Sequence, residues 1–161
     1  VDSIVEGSMQ NAFGGAITVS GSIIVGSVFS NDHEINTAYR IDHSLFFGSV
    51  GISGGSGGHI SNSIFAGGSI ALGSDLSDPG TGTISGNIVV GSPESGIEIG
   101  TSHPTSGPSG PITLSGNLAI ANAGHGIDAE SGDVSHPQII DGGHNHAFLN
   151  QTTPQCIGVA C

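Results

Sequence analysis

A chain of 161 residues is long enough for one domain with a sizeable core and short for two. Thirteen carboxylates against a single arginine, Arg40, give a formal charge of −12, which argues against nucleic acid and anionic membrane surfaces, both of which need clustered Lys and Arg. Only 9% of residues are charged and 35% are hydrophobic, so the chain can bury a core, yet no stretch reaches the roughly 18 apolar residues of a membrane span.

In chain order, one eight-residue unit recurs: apolar, two small or polar residues, Ser or Asn, apolar, two variable residues, then Gly or Ala. A partial copy, SIVEG, opens at Ser3. Full copies follow as VSGSIIVG from Val19, IDHSLFFG from Ile41, ISNSIFAG from Ile60, ISGNIVVG from Ile84 and LSGNLAIA from Leu114, and IDGGHNHA from Ile140 is a degraded last one. The full copies start 22, 19, 24 and 30 residues apart, the uneven spacing of a solenoid whose insertions leave at turns. The units are rich in Ile, Val and Gly and carry no 3.6-residue apolar stripe, so each reads as strand. A second short strand follows at VGIS from Val50, SIAL from Ser69, GIEI from Gly96 and GIDA from Gly126.

The expectation is an all-β parallel solenoid of about six rungs over residues 1–145, closed by a tail at 146–161. Stacking at about 4.8 Å places Ser22, Ser44, Ser63, Asn87 and Asn117 in one ladder, where their side chains bond one another and the backbone. The first rung starts in mid-unit at Val1, which predicts a longer β-helix upstream or an end-on partner. After the ladder, three successive slots are apolar, and side chains alternate across a sheet. If the middle slot points inward, Ile23, Val25, Leu45, Phe47, Ile64, Ile88, Val90, Leu118 and Ile120 form an outward apolar face. Such a face predicts a homo-oligomer or filament; the alternative cover is the loop from Ser92 to Gly96 or the tail after Asn145.

The repeated units resemble the right-handed parallel β-helix proteins of the pectate-lyase-like superfamily, over nearly the whole chain. The ending from Asp141 to Cys161 is similar to the closing segment of secreted bacterial members. The resemblance implies the right-handed fold and leaves function open among lyases, hydrolases, epimerases, adhesins and scaffolds. Cys156 and Cys161, the only cysteines, make a poor zinc site. A terminal disulfide is expected from the association of paired cysteines with oxidising compartments, with two free thiols as the alternative. The corresponding location is extracellular or cell-surface.

Four constellations carry candidate chemistry. In YRIDH, Arg40 and Asp42 flank an inward Ile41 and share the outer face. Register adds His59 beside Arg40; His43 is adjacent, and His33 and Glu34 precede. A cation and a base on one spot are what uronate lyases and epimerases require, and YRIDH resembles the Tyr…Asp-Pro-His segment of alginate epimerases without its proline. The alternative is a surface ion pair that keeps the lone arginine solvated. GHGIDAESG, with His125, resembles the Gly-His-Gly element of polygalacturonase-type glycosidases, but no paired carboxylates accompany it, and an ordinary turn is the competing reading. Glu98 and Asp128 occupy matching slots, and Asp75 and Asp78 share a loop, so calcium is the one cofactor to weigh. An ice-binding rank would follow Thr18, Arg40, His59, Thr83 and Thr113, and two bulky groups interrupt it. The expected function is a non-enzymatic extracellular module presenting a stiff solenoid surface, self-associating or part of a larger secreted protein. The alternative is a fragment of a lyase, epimerase or glycoside hydrolase acting on acidic polysaccharide.

Overall fold

The computed structural model describes residues 3–7, 9–11, 17–31, 39–53, 57–73, 81–100, 111–129 and 139–161. Among them the chain forms three sheets in which every pairing is parallel. Sheet A stacks β1 (Ile4–Glu6), β4 (Ile23–Val25), β7 (Leu45–Phe47), β10 (Ile64–Ala66), β13 (Ile88–Val90), β16 (Leu118–Ile120) and β19 (His146–Phe148). Sheet B stacks β2 (Met9–Asn11), β5 (Val28–Asn31), β8 (Val50–Ser53), β11 (Ile70–Leu72), β14 (Ile97–Ile99), β17 (Ile127–Asp128) and β20 (Cys156–Ile157). Sheet C stacks β3 (Ile17–Ser20), β6 (Tyr39–Asp42), β9 (Gly58–Ser61), β12 (Gly82–Ser85), β15 (Ile112–Ser115) and β18 (Ile139–Asp141). Each turn of chain visits C, A and B once, which is a parallel β-helix. The segment 146–161, expected to close the solenoid, supplies the last strand of sheets A and B.

The alternation of side chains sets the core. Ile24, Phe46, Phe65, Val89 and Ala119 point inward from sheet A; Ile41, Ile60, Ile84 and Leu114 from sheet C; Val50, Ile70, Ile97 and Ile127 from sheet B. Phe46 and Phe65 stack with centroids 4.8 Å apart.

The corner between sheets C and A needs a left-handed residue, and the third position of the repeat supplies it. Gly21, Gly86 and Gly116 stand there with φ between 56° and 64°, and His43 and Asn62 adopt φ of 47° and 50°, which costs a side-chain-bearing residue strain that glycine avoids.

The next position is the expected ladder, now buried and fully bonded. The Ser22 amide donates to Ser44 Oγ, Ser44 to Ser63 Oγ, Ser63 to Asn87 Oδ1 and Asn87 to Asn117 Oδ1. Asn145 extends it, accepting from the Asn117 amide. Asparagine does more than serine here, because Nδ2 of Asn87, Asn117 and Asn145 also donates to Ile60, Ile84 and Leu114 carbonyls. The degraded last copy therefore sits out of its expected register, by one residue on sheet C, where Asp141, not Ile140, pairs with Leu114 and Ile140 faces out beside Thr113, and by two at the ladder, where Asn145 takes the place expected of Gly143.

Candidate functional site

The outer face of sheet C carries the YRIDH cluster. Parallel register places Arg40 between Thr18 and His59, and Asp42 between Ser20 and Ser61. Arg40 and His43 are two-thirds exposed, and Arg40 Nη2 stands 4.0 Å from Asp42 Oδ2, too long for a hydrogen-bonded pair. Asp42 is better held by its other neighbours: His43 Nδ1 is 2.8 Å from Oδ2, and Ser61 Oγ donates to Oδ1 at 2.9 Å. These bonds, His43 first and Ser61 next, hold the Asp42 carboxyl below its usual range, against a smaller opposing effect of desolvation. Asp42 is thus an orienting anion rather than a base poised near neutrality. It fixes the His43 ring through Nδ1 and leaves Nε2 unengaged by Asp42.

The register of the repeat already set Ser61 beside Asp42, whereas Asn62, which also reaches Asp42 at 3.4 Å, was not among the residues that the sequence marked. The octet itself held the signal, since Asn62 occupies the same corner position as His43. His33 and Glu34 lie outside the described residues. A hollow of about 210 Å³ beside β1 and β3 is lined by Ser3, Val5, Thr18, Val19, Ser20, Ser22 and Ile24. None of Arg40, Asp42, His43 and His59 lines it.

The acidic pair on sheet B is laterally adjacent, Glu98 being the register partner of Asp128. Partial burial first, then Asp128 and Glu94, push the Glu98 carboxyl up. Asp75 and Asp78 lie outside the described residues, and among the described residues no group of three or more His, Cys, Asp or Glu is placed to hold a metal ion. His125 sits in a rung corner with Nδ1 2.6 Å from the Pro154 carbonyl oxygen and its amide donating to Ser95 Oγ. Both contacts join successive rungs.

Sheet A presents the apolar slots outward in two rows. Ile23, Val25, Phe47, Ile64 and Ile88 are exposed, and Leu45, Val90, Leu118 and Ile120 are half-buried. Neither expected cover shields them. Ser92, Ser95 and Gly96 are buried in the corner between sheets A and B, and the chain after Asn145 continues sheet A as β19. Cys156 and Cys161 form a disulfide, with Cα atoms 6.2 Å apart, which fits an oxidising compartment. No family model, curated protein or solved structure matches this chain.

Proposed function

We propose that this chain is a non-enzymatic extracellular module, pectate-lyase-like in its helix, whose stiff solenoid serves as structure and as an interaction surface. The observation that carries this reading is the two-row apolar face of sheet A, exposed along the stack while both edges of every strand from β4 to β16 are already paired. Surfaces of that extent are uncommon on proteins that work alone. The ladders support it as well, since continuous side-chain bonding through every rung suits a rigid spacer. The acidic composition discourages nucleic acid as a partner.

A second reading, action on acidic polysaccharide, draws on the Asp42–His43 contact, because a carboxylate that orients an imidazole is how a base is prepared. Against it stands the single arginine beside an expected uronate, with none of Arg40, Asp42, His43 and His59 in the lining of the hollow that their register neighbours Thr18 and Ser20 border. The test is incubation with pectate, alginate and polygalacturonate, following unsaturated-product absorbance and reducing ends. The expected outcome is no turnover. Turnover that disappears in Arg40→Ala and His43→Ala would replace the module reading with the enzymatic one.

A further inference from the structure

The face of sheet A has a geometry that selects its occupant. One row runs from Ile4 to His146 and the other from Glu6 to Phe148, seven residues each, at the strand spacing of about 4.8 Å. Seven large apolar side chains on it are 36–70% exposed and five more apolar ones are half-buried. Together these side chains leave several hundred Å² of apolar surface open, comparable to the largest patch of a typical monomer and to the roughly 800 Å² that each partner buries in a stable complex. Among the described residues the sheet's flanks supply no cover. The connections from sheet C into sheet A are two residues long in the five rungs from β3 to β16.

We infer that the occupant is a second copy of this chain, packed face to face through sheet A with the two solenoids antiparallel. This rests on the module reading above and names its partner. A second copy has the same rung period, so its rows interdigitate along the full length. The two-fold axis then falls on β10, the middle of the seven strands, where the small Ala66 meets Ala66 of the other copy. Phe47, the most exposed side chain of the central rungs, faces the half-buried Val90.

The two ends of the face choose the orientation. Glu6 lies on β1 in one row, and His146 on β19 in the other; both are exposed. Antiparallel solenoids place Glu6 of each copy opposite Phe148 and diagonal to His146 of the other, whereas parallel ones place it opposite Ile4 and diagonal to the other Glu6. An imidazole N–H donates to a carboxylate, and two carboxylates side by side repel.

Sedimentation equilibrium tests association, and cross-linking of Ala66→Cys by a short bismaleimide tests orientation. The expected result is a dimer that Phe47→Asp weakens by about 100-fold or more, with circular dichroism unchanged because the substituted side chain points outward and melting lowered only by the lost association. Ala66→Cys should cross-link to itself, while Glu6→Cys, about 29 Å from its counterpart in antiparallel packing and diagonal to it in parallel packing, should not. Glu6→Lys should weaken the dimer, and adding His146→Glu should restore it. A monomer at the highest soluble concentration, or a dimer indifferent to Phe47→Asp, overturns the inference while leaving an inert module standing. Turnover of polysaccharide would instead overturn the module reading.

Discussion

Tyr39 was legible only as the first letter of YRIDH, and its place in the fold comes from what two other rungs lack. It points inward from β6 and is buried, and the next two rungs carry Gly58 and Gly82 in the same column. The ring lies along the solenoid axis into that gap: a Cβ at Gly58 would overlap the Tyr39 ring, and one at Gly82 would come within 2.8 Å of the hydroxyl. Small residues at those two positions are therefore required by a side chain one and two rungs away, a relation that local spacing does not reveal. Among the described residues the hydroxyl has no hydrogen-bond partner, and burial pushes its pKa far up. An orphaned buried hydroxyl costs on the order of 1–3 kcal/mol. Tyr39→Phe keeps the packing and removes the orphan, so it should leave stability unchanged or raise it by about 1 kcal/mol, a few degrees in Tm for a chain of this size. Tyr39→Ala should cost about 3–5 kcal/mol through the cavity. Thermal unfolding of the two variants checks this, and a Tyr39→Phe protein that melts well below the parent would show that the hydroxyl has a partner.

At the scale of elements, the repeat exposed one ladder and hid another. The Ser/Asn slot lay inside the octet and its register was readable. The second ladder begins one residue beyond it, where the octet had been ended at Gly or Ala. There the Ser49 amide donates to Ser27 Oγ, Ser69 to Ser49 Oγ, Ser92 to Asn122 Oδ1 and Asn122 to Asn150 Oδ1. The sheet A strands from β4 to β19 are thus flanked by side-chain ladders at both corners, the second in two runs, Ser27 to Ser69 and Ser92 to Asn150, which satisfy backbone groups that the turns leave unpaired. The YRIDH register was equally readable and set Ser61 beside Asp42, but the bonds from His43 and Asn62 were not, because they depend on left-handed corner residues reaching sideways. The same lateral logic gives a pH prediction on sheet B. Glu98 has a folded-state pKa above its ordinary 4.5, through partial burial, Asp128 and Glu94. Its contribution to stability is complete below that ordinary value and is lost as the pH climbs through the raised one. Glu98→Gln should therefore stabilise the protein at pH 7, by a few tenths of a kcal/mol to about 1, and the gain should vanish near pH 4. Melting curves at the two pH values decide it, and an equal gain at both would rule out the electrostatic cause.

A solenoid is close to one-dimensional, so each rung answers mainly to its neighbours and the ends are where stability is decided. The C-terminal end is built from contacts that converge on the last four residues. β20 pairs with β17, after which Val159 packs against the core and the Ala160 amide donates to Asp141 Oδ2 at the end of sheet C. Asp141 occupies an inward register below Leu114, where an apolar residue would end the core, and it also accepts from the Gly143 amide and Asn145. The bonds from Ala160 first, then Gly143, hold its carboxyl below the ordinary 3.8. This contribution is therefore present above that value and is lost as the pH falls through the lowered one. The Cys156–Cys161 disulfide ties the far end of the same segment back to sheet B, so the tail is held at both sides. Closing so short a loop contributes on the order of 2 kcal/mol or less, and the effect should stay local. In Cys161→Ser or Asp141→Asn, hydrogen exchange should accelerate in β18, β19 and β20 by about 10-fold for each 1.4 kcal/mol lost, while β9 and β12 keep their protection. Loss spread evenly through all rungs would mean that the stack unfolds as one cooperative unit, and no loss at all would mean that Val159 alone holds the end shut.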